Sequence, residues 1–179
     1  MSQLYTQFKE NIVPALMSDF SYKNIHEVPA IKKVTINVGY GRHSKDKGFI
    51  DNVEKTLTQI TGQKPVHNEA KKAISNFKIR KGMDIGMSVT LRGERMYEFI
   101  YRLINLAIPR IRDFRGLSTN GFDRQGNYTF GIKENVAFPE IAAESLDKIH
   151  GLQIIITTSA TNKKEGMALL EKIGMPFKK

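Results

Sequence analysis

The sequence predicts a single α+β domain, and three observations carry that prediction. Apolar residues recur at helical spacing in four segments. They alternate at strand spacing in others, most clearly over 31–38 and 87–92. No internal repeat, low-complexity tract or Pro/Gly linker divides the 179 residues. A chain of this length buries roughly 70% of its unfolded surface, enough for a sizeable core.

The elements follow in order. Leu4, Phe8, Ile12, Leu16 and Phe20, with Val13 and Met17, make an amphipathic helix entered or interrupted at Pro14. In the strand 31–38, Val34, Ile36 and Val38 point one way and Lys33, Thr35 and Asn37 the other; Gly39 and Gly41 end it. Ile50, Val53, Leu57 and Ile60 make a second helix with Gly62 as its C-cap. Residues 64–69 read as a short strand. Residues 70–86 lack a clean period and read as a long exposed loop, a flexible basic arm that orders on nucleic acid or a disordered solubilising loop. In the strand 87–92, Met87, Val89 and Leu91 oppose Ser88, Thr90 and Arg92. A helix follows on Met96, Phe99, Ile100, Leu103, Ile104 and Ala107, ended or kinked by Pro109. Residues 110–127 read as a second long basic loop, whose stretch 109–116 is either a solvated loop tethered by Ile111 and Phe114 or a rigid basic surface for RNA or an acidic protein tail. Residues 128–132 read as a strand, 137–141 as a strand end or edge around Pro139, and 145–149 as a helical turn. Residues 152–158 are apolar on both parities, as a central strand requires. Asn162 caps a last helix carrying Met167, Leu169, Leu170 and Ile173.

Composition narrows the function. The net charge is +10, and residues 64–116 hold 12 Lys+Arg against 5 Asp+Glu, a net of +7. The cations are interleaved with Phe77, Phe99 and Phe114 and with Gly82, Gly86, Gly93 and Gly116. A local, Gly-punctuated basic segment with aromatics fits a phosphate polymer, nucleic acid first and an anionic membrane second. Cysteine is absent, which excludes disulfides, thiolate metal sites and cysteine nucleophiles. No apolar signal core and no spanning run occurs, so the expected protein is soluble and intracellular, without a membrane partner.

Catalytic constellations are missing. Gly39-Tyr40-Gly41 lacks the third glycine of a dinucleotide loop, because position 44 is Ser44. His26, His43, His67 and His150 show no ligand spacing and read as isolated surface residues, so no metal and no cofactor is expected. Ser75, Ser118 and Ser159 lack a nucleophile-elbow setting, and Asp113 and Asp123 lie in basic loops where arginine partners are expected. Arginine binds anions and is a poor general base, so an enzyme for a phosphorylated substrate is the weaker alternative. A free RNA-binding module such as an RNA chaperone is the other. If the two amphipathic strands share a sheet, Lys33, Thr35, Asn37, Ser88, Thr90 and Arg92 form one cationic, hydrogen-bonding face suited to RNA sugar and phosphate.

Several blocks then add up to a resemblance. They are 61–65 (TGQKP), 73–80 (AISNFKIR), 89–96 (VTLRGERM), 109–116 (PRIRDFRG), Phe122-Asp123, 126–128 (GNY), 138–141 (FPEI), 154–158 (IIITT) and 174–178 (GMPFK). In this order, over almost the full length, the chain resembles the bacterial large-subunit ribosomal proteins of the L-five family, which bind 5S rRNA. The resemblance implies an antiparallel sheet with helices on one side, similar to an RNA-recognition fold, with long basic loops and no enzymatic activity. It implies a cytoplasmic, ribosomal location in the central protuberance. The implied partners are 5S rRNA, 23S rRNA, P-site tRNA, the small-subunit protein S-thirteen and neighbouring 5S-associated proteins. By position, Asn37, Gln63, Lys64, Thr90 and Arg92 match the family's 5S rRNA surface, to which strand parity adds Lys33 and Thr35. The loop holding Ser75, Asn76, Phe77, Lys78, Arg80, Lys81 and Gly82 matches the arm that approaches tRNA. Arg110, Arg112, Asp113 and Arg115, with the segment 138–144, match the face toward the small subunit. Three departures stand out. Arg124 replaces a usual glycine, Ala142-Ala143-Glu144 replaces Asp-Tyr-Asp, and Met83-Asp84 puts an acid in the arm.

Overall fold

Five strands form one antiparallel sheet in the order β2–β3–β1–β5–β4, with β1 at Ile31–Gly39, β2 at Val66–Glu69, β3 at Asp84–Leu91, β4 at Tyr128–Ile132 and β5 at Leu152–Thr158. Helices α1 (Gln3–Gln7), α2 (Val13–Phe20), α3 (Lys47–Thr61), α4 (Gly93–Arg102) and α5 (Lys163–Ile173) complete the α+β class read from the sequence. The computed structural model describes residues 2–44, 46–141 and 149–178. The chain divides into two compact units, Met1–Val34, Leu91–Phe130 and Ile155–Lys179 in the first, Thr35–Thr90 and Gly131–Ile154 in the second.

In the first unit the N-terminal helix runs from α1 through a π-helical turn, Phe8–Ile12, into α2. The wide turn precedes Pro14, which has no N–H for the carbonyl one turn back; α4 widens the same way over Leu103–Ala107 before Pro109. Leu4, Phe8, Leu16, Met96, Phe99, Ile100, Leu103, Leu169 and Leu170 are buried here. The Tyr5 and Tyr97 rings meet at 5.0 Å. Asn162 caps α5 by accepting the Glu165 N–H at 2.9 Å. At Gly166 of α5 the backbone of Gly126 approaches so closely that a side chain on Gly166 would overlap the Gly126 carbonyl.

In the second unit α3 buries Val53, Leu57 and Ile60, and the strands bury Ile36, Val38, Met87, Val89 and Ile154. Asp46 caps α3 by accepting the Phe49 N–H at 3.1 Å, and Gly62 closes it at φ +66°.

Several expectations need correction. β3 begins at Asp84, not at Met87, because Asn68 and Glu69 of β2 pair with Gly86 and Asp84. Arg92 is not a strand residue but the N-cap of α4, at φ −140° and ψ 164°. Residues 137–141 are not a strand. Asn135–Ala137 is a 3₁₀ turn whose Ala137 and the following Phe138 are buried. The histidines are not all surface residues, because His150 is buried beside Asn135 Nδ2 at 3.4 Å. The expected turn at 145–149 lies, except for Ile149, outside the described residues.

Candidate nucleic-acid interface

The second unit carries a polar row on one side of its strands. Along β1, Ile36 and Val38 are buried while Thr35 and Asn37 are half-exposed. Along β3, Met87 and Val89 are buried, Ser88 is half-exposed and Thr90 exposed. Strand alternation therefore separates a packed face from a hydrogen-bonding face. The row extends outward on both sides. Asn37 Nδ2 donates to Gln153 Oε1 of β5 at 3.5 Å, and Ser88 Oγ donates to Asn68 Oδ1 of β2 at 3.3 Å. Close approach of β1 and β3 depends on Gly86, where a Cβ would stand 2.9 Å from the Val38 carbonyl oxygen. Hydroxyls and amides that each donate and accept are the groups that read ribose hydroxyls and unstacked bases.

Gln63 and Lys64 occupy the corner between α3 and β2. Thr61 shapes it, donating its hydroxyl to the Leu57 carbonyl at 2.7 Å and accepting the Gln63 N–H at 3.2 Å. Gln63 is half-exposed and Lys64 exposed. Thr35, Asn37, Gln63, Lys64 and Thr90 thus lie in the second unit, whereas Lys33, half-exposed on β1, and Arg92, exposed at the α4 cap, lie in the first. Sequence reading missed Asn68 and Gln153. Gln153 is the one amide in the run 152–158, whose apolar character on both parities masked it.

The arm is not the flexible loop expected from the sequence: it leaves β2 and returns to β3 as a hairpin extension held by its own backbone bonds. Ile74 and Ile79 exchange backbone hydrogen bonds at 2.9 and 3.1 Å, Ala70 N–H donates to the Met83 carbonyl at 2.8 Å, and Gly82 N–H to the Ala70 carbonyl at 3.0 Å. Ser75–Phe77 forms a 3₁₀ turn closed by Lys78 at φ +54°. Ser75, Asn76, Phe77, Lys78, Arg80, Lys81 and Gly82 are all exposed, the Phe77 ring to 72%. An exposed aromatic ring in a basic loop has a face on which a base can stack. Asp84 does not belong to the tip; it lies on β3 near His67.

In the first unit, Arg110, Arg112, Asp113 and Arg115 are exposed, with Asp113 at φ +53°. Ile111 and Phe114 are only half-buried, so they are not the main tethers expected of them. Leu117 and Phe122 are buried instead. The C-terminal tail clips this loop: Leu117 N–H donates to the Pro176 carbonyl at 2.8 Å, and Lys178 N–H to the Leu117 carbonyl at 2.9 Å. Phe177 packs on Phe122 and Tyr128, with ring centroids at 5.4 and 5.2 Å. Asp123 takes no arginine in its turn. It accepts the Gln125 and Asn127 N–H groups at 2.9 and 2.8 Å and the Asn127 side-chain amide at 2.7 Å. Desolvation pulls the Asp123 carboxyl up, but the Asn127 side chain and the backbone donors outweigh it and hold the group below its usual value. Positive φ in this turn falls on Gly126, and Arg124 occupies ordinary backbone that any residue adopts. Ala142, Ala143 and Glu144 lie outside the described residues.

Other features bear on alternative chemistry. Among the described residues no group of three or more His, Asp or Glu side chains can hold a metal ion, and no helix is long and apolar enough to cross a membrane. His67 sits between Glu54 and Asp84, and His43 stacks on Phe49 at 4.6 Å.

Residues 24–80 match the family described as ribosomal protein L5, and residues 84–177 match the model of the C-terminus of that ribosomal family. The chain is 54% identical over 177 residues to the large ribosomal subunit protein uL5 of Halothermothrix orenii, covering 99% of each chain. It is 53% identical to that of Thermoanaerobacter sp. over the full length of both chains, and 54% identical over 179 residues to that of Microcystis aeruginosa, covering 99% of this chain and 100% of the relative.

Proposed function

The chain belongs to the ribosomal protein L5 (uL5) family, and from that premise we propose that it binds 5S rRNA through the polar strand face and helps attach that RNA to the central protuberance. It is a structural constituent of the large ribosomal subunit, acts on the ribosome in the cytoplasm, and is not an enzyme. Residues 1–179 act as one 5S rRNA-binding domain, with Lys33, Thr35, Asn37, Gln63, Lys64, Thr90 and Arg92 as its contacts. The observation that carries this reading is the alternation along β1 and β3: Thr35, Asn37, Ser88 and Thr90 remain open while Ile36, Val38, Met87 and Val89 are buried.

The mechanism is a division of labour. Cations neutralise phosphates and release counterions, which makes affinity fall steeply with salt. The hydroxyls and amides then fix register by hydrogen bonding to riboses and bases on a surface ordered before RNA arrives. The arm with Ser75, Asn76, Phe77, Lys78, Arg80, Lys81 and Gly82 approaches P-site tRNA. Its support is the open Phe77 ring among exposed cations. The loop with Arg110, Arg112, Asp113 and Arg115 meets the small-subunit protein S-thirteen, and the chain also touches 23S rRNA and the neighbouring 5S-associated proteins.

The test is a filter-binding titration of 5S rRNA at fixed salt. Gln63→Ala and Arg92→Ala together weaken binding at least tenfold while thermal unfolding is unchanged, since both side chains are at least partly open. Unchanged affinity in the double variant sinks the site assignment.

A further inference from the structure

Lys64 is one of the cations assigned to 5S rRNA, yet its ammonium does not stand over the polar face. Nζ lies 3.7 Å from Glu54 Oε1 on α3, with the Lys64 side chain 81% exposed and that of Glu54 30% exposed. The other Glu54 oxygen lies 3.9 Å from His67 Nε2. His67 is paired with Met87 across the β2–β3 ladder, and Met87 is fully buried. Residues paired across a ladder share a face, so His67 and the carboxylate it meets lie on the packed side of the strands. The next pair, Val66 and Ser88, points the opposite way, with the polar row. Lys64 is therefore drawn toward the helix side, away from Asn68 and Ser88.

Glu54 is the centre of a small charge cluster. His67 Nδ1 lies 3.4 Å from the Tyr40 hydroxyl and 3.8 Å from Asp84 Oδ2, and Glu69 is paired with Asp84 in the ladder. Tyr40 registers the cluster: burial first, then Asp84 and Glu54, push its hydroxyl above its ordinary pKa. When Lys64 leaves, Glu54 keeps His67 as a neighbour and is not stranded.

We infer that Glu54 is a positioning residue for RNA binding: it holds Lys64 against α3 in the free protein and releases it to a phosphate when RNA docks. This rests on the 5S rRNA reading above. An exposed lysine–carboxylate pair is weak enough to exchange for a phosphate within one docking event. Lysine suits the exchange because its charge rides on a flexible four-carbon stem. Glu54 thereby lowers the affinity of the resting surface for polyanions in general and reserves Lys64 for an RNA that brings a phosphate to the α3–β2 corner.

Two measurements test it. In the first, 5S rRNA affinity is compared for Glu54→Gln in the wild-type and Lys64→Ala backgrounds. Asp51→Asn, an exposed site on the same helix, controls for the loss of one negative charge. Glu54→Gln tightens binding about threefold when Lys64 is present and leaves it unchanged in Lys64→Ala. Equal tightening in both backgrounds means that Glu54 acts only as bulk charge, and the inference falls. In the second, the free protein is acylated with an N-hydroxysuccinimide ester, and modification of Lys64 is followed by mass spectrometry. Glu54→Gln raises the rate at Lys64 about threefold relative to Lys55, and an unchanged rate overturns the restraint. Failure of the wild-type protein to bind 5S rRNA sinks the proposed function instead, and the acylation rates still decide whether Glu54 holds Lys64.

Discussion

The two basic loops look alike in sequence and are built on opposite plans. Residues 70–83 expose every side chain from Lys71 to Lys78 and hold their shape with their own backbone bonds, Ile74 to Ile79 and Ala70 to Met83. Residues 110–127 bury Leu117 and Phe122, borrow two backbone bonds from the C-terminal tail and close a turn around Asp123. The first loop keeps its one aromatic, Phe77, outside; the second buries Phe122 and half-buries Phe114. Charge and aromatic content therefore do not say whether an aromatic in a basic loop is an anchor or a contact. Burial does, and it marks the loop whose aromatic substitutions disturb the fold first.

That contrast can be broken most forcefully at Phe122. Its ring stands 4.5 Å from Tyr128 and 5.4 Å from Phe177. Phe122→Ala is expected to lower stability by about 3–5 kcal/mol in urea unfolding. A loss below about 1 kcal/mol is ordinary for a surface site and contradicts the anchor role. Ending the chain at Met175 removes the tail clip and the Phe177 ring, with an expected loss of about 2 kcal/mol. Hydrogen exchange sharpens this: the Leu117 amide loses protection with the tail, while the Ile74 and Ile79 amides do not.

Asp123 gives a smaller, pH-dependent effect. Its carboxyl is held below its ordinary value of 3.8 in the folded protein. The stability it contributes is fully present above that value and is lost as the pH falls through the lower, folded value. Asp123→Asn removes this part of the acid limb, so the melting profile below about pH 4 becomes shallower than that of the wild type. The smallest effect on stability belongs to the arm. Phe77→Ala changes unfolding free energy by no more than about 0.5 kcal/mol, leaves 5S rRNA affinity within twofold, and weakens tRNA binding roughly tenfold in a direct titration, as loss of one stacked base does.

Strand parity is the most legible part of the molecule. Val34, Ile36 and Val38 against Lys33, Thr35 and Asn37 reads directly from a period of two, and the burial pattern of β1 repeats it. The caps at Gly62 and Asn162 are equally plain, because each is a local backbone requirement. What stays hidden depends on partners distant in sequence. Asp84 and Gly86 are poor strand formers alone, and they join β3 because β2 pairs with them and β1 packs against the glycine. Residues 137–141 carry strand-like residues, yet Ala137 and Phe138 anchor a turn. The cluster of Glu54, Lys64, His67 and Asp84 draws on α3, β2, β3 and the corner between, so no linear spacing announces it. The family blocks are legible as a set, and they point to candidate RNA-facing residues more finely than charge does.

Amide chemical-shift mapping of the isotopically labelled protein, titrated with 5S rRNA at moderate salt, tests the central claim most directly. The polar strand face predicts shifts concentrated at Thr35, Asn37, Gln63, Lys64, Ser88 and Thr90, with the amides of Ser75 to Gly82 nearly unmoved. Shifts confined to the arm, with the strand face silent, would contradict it.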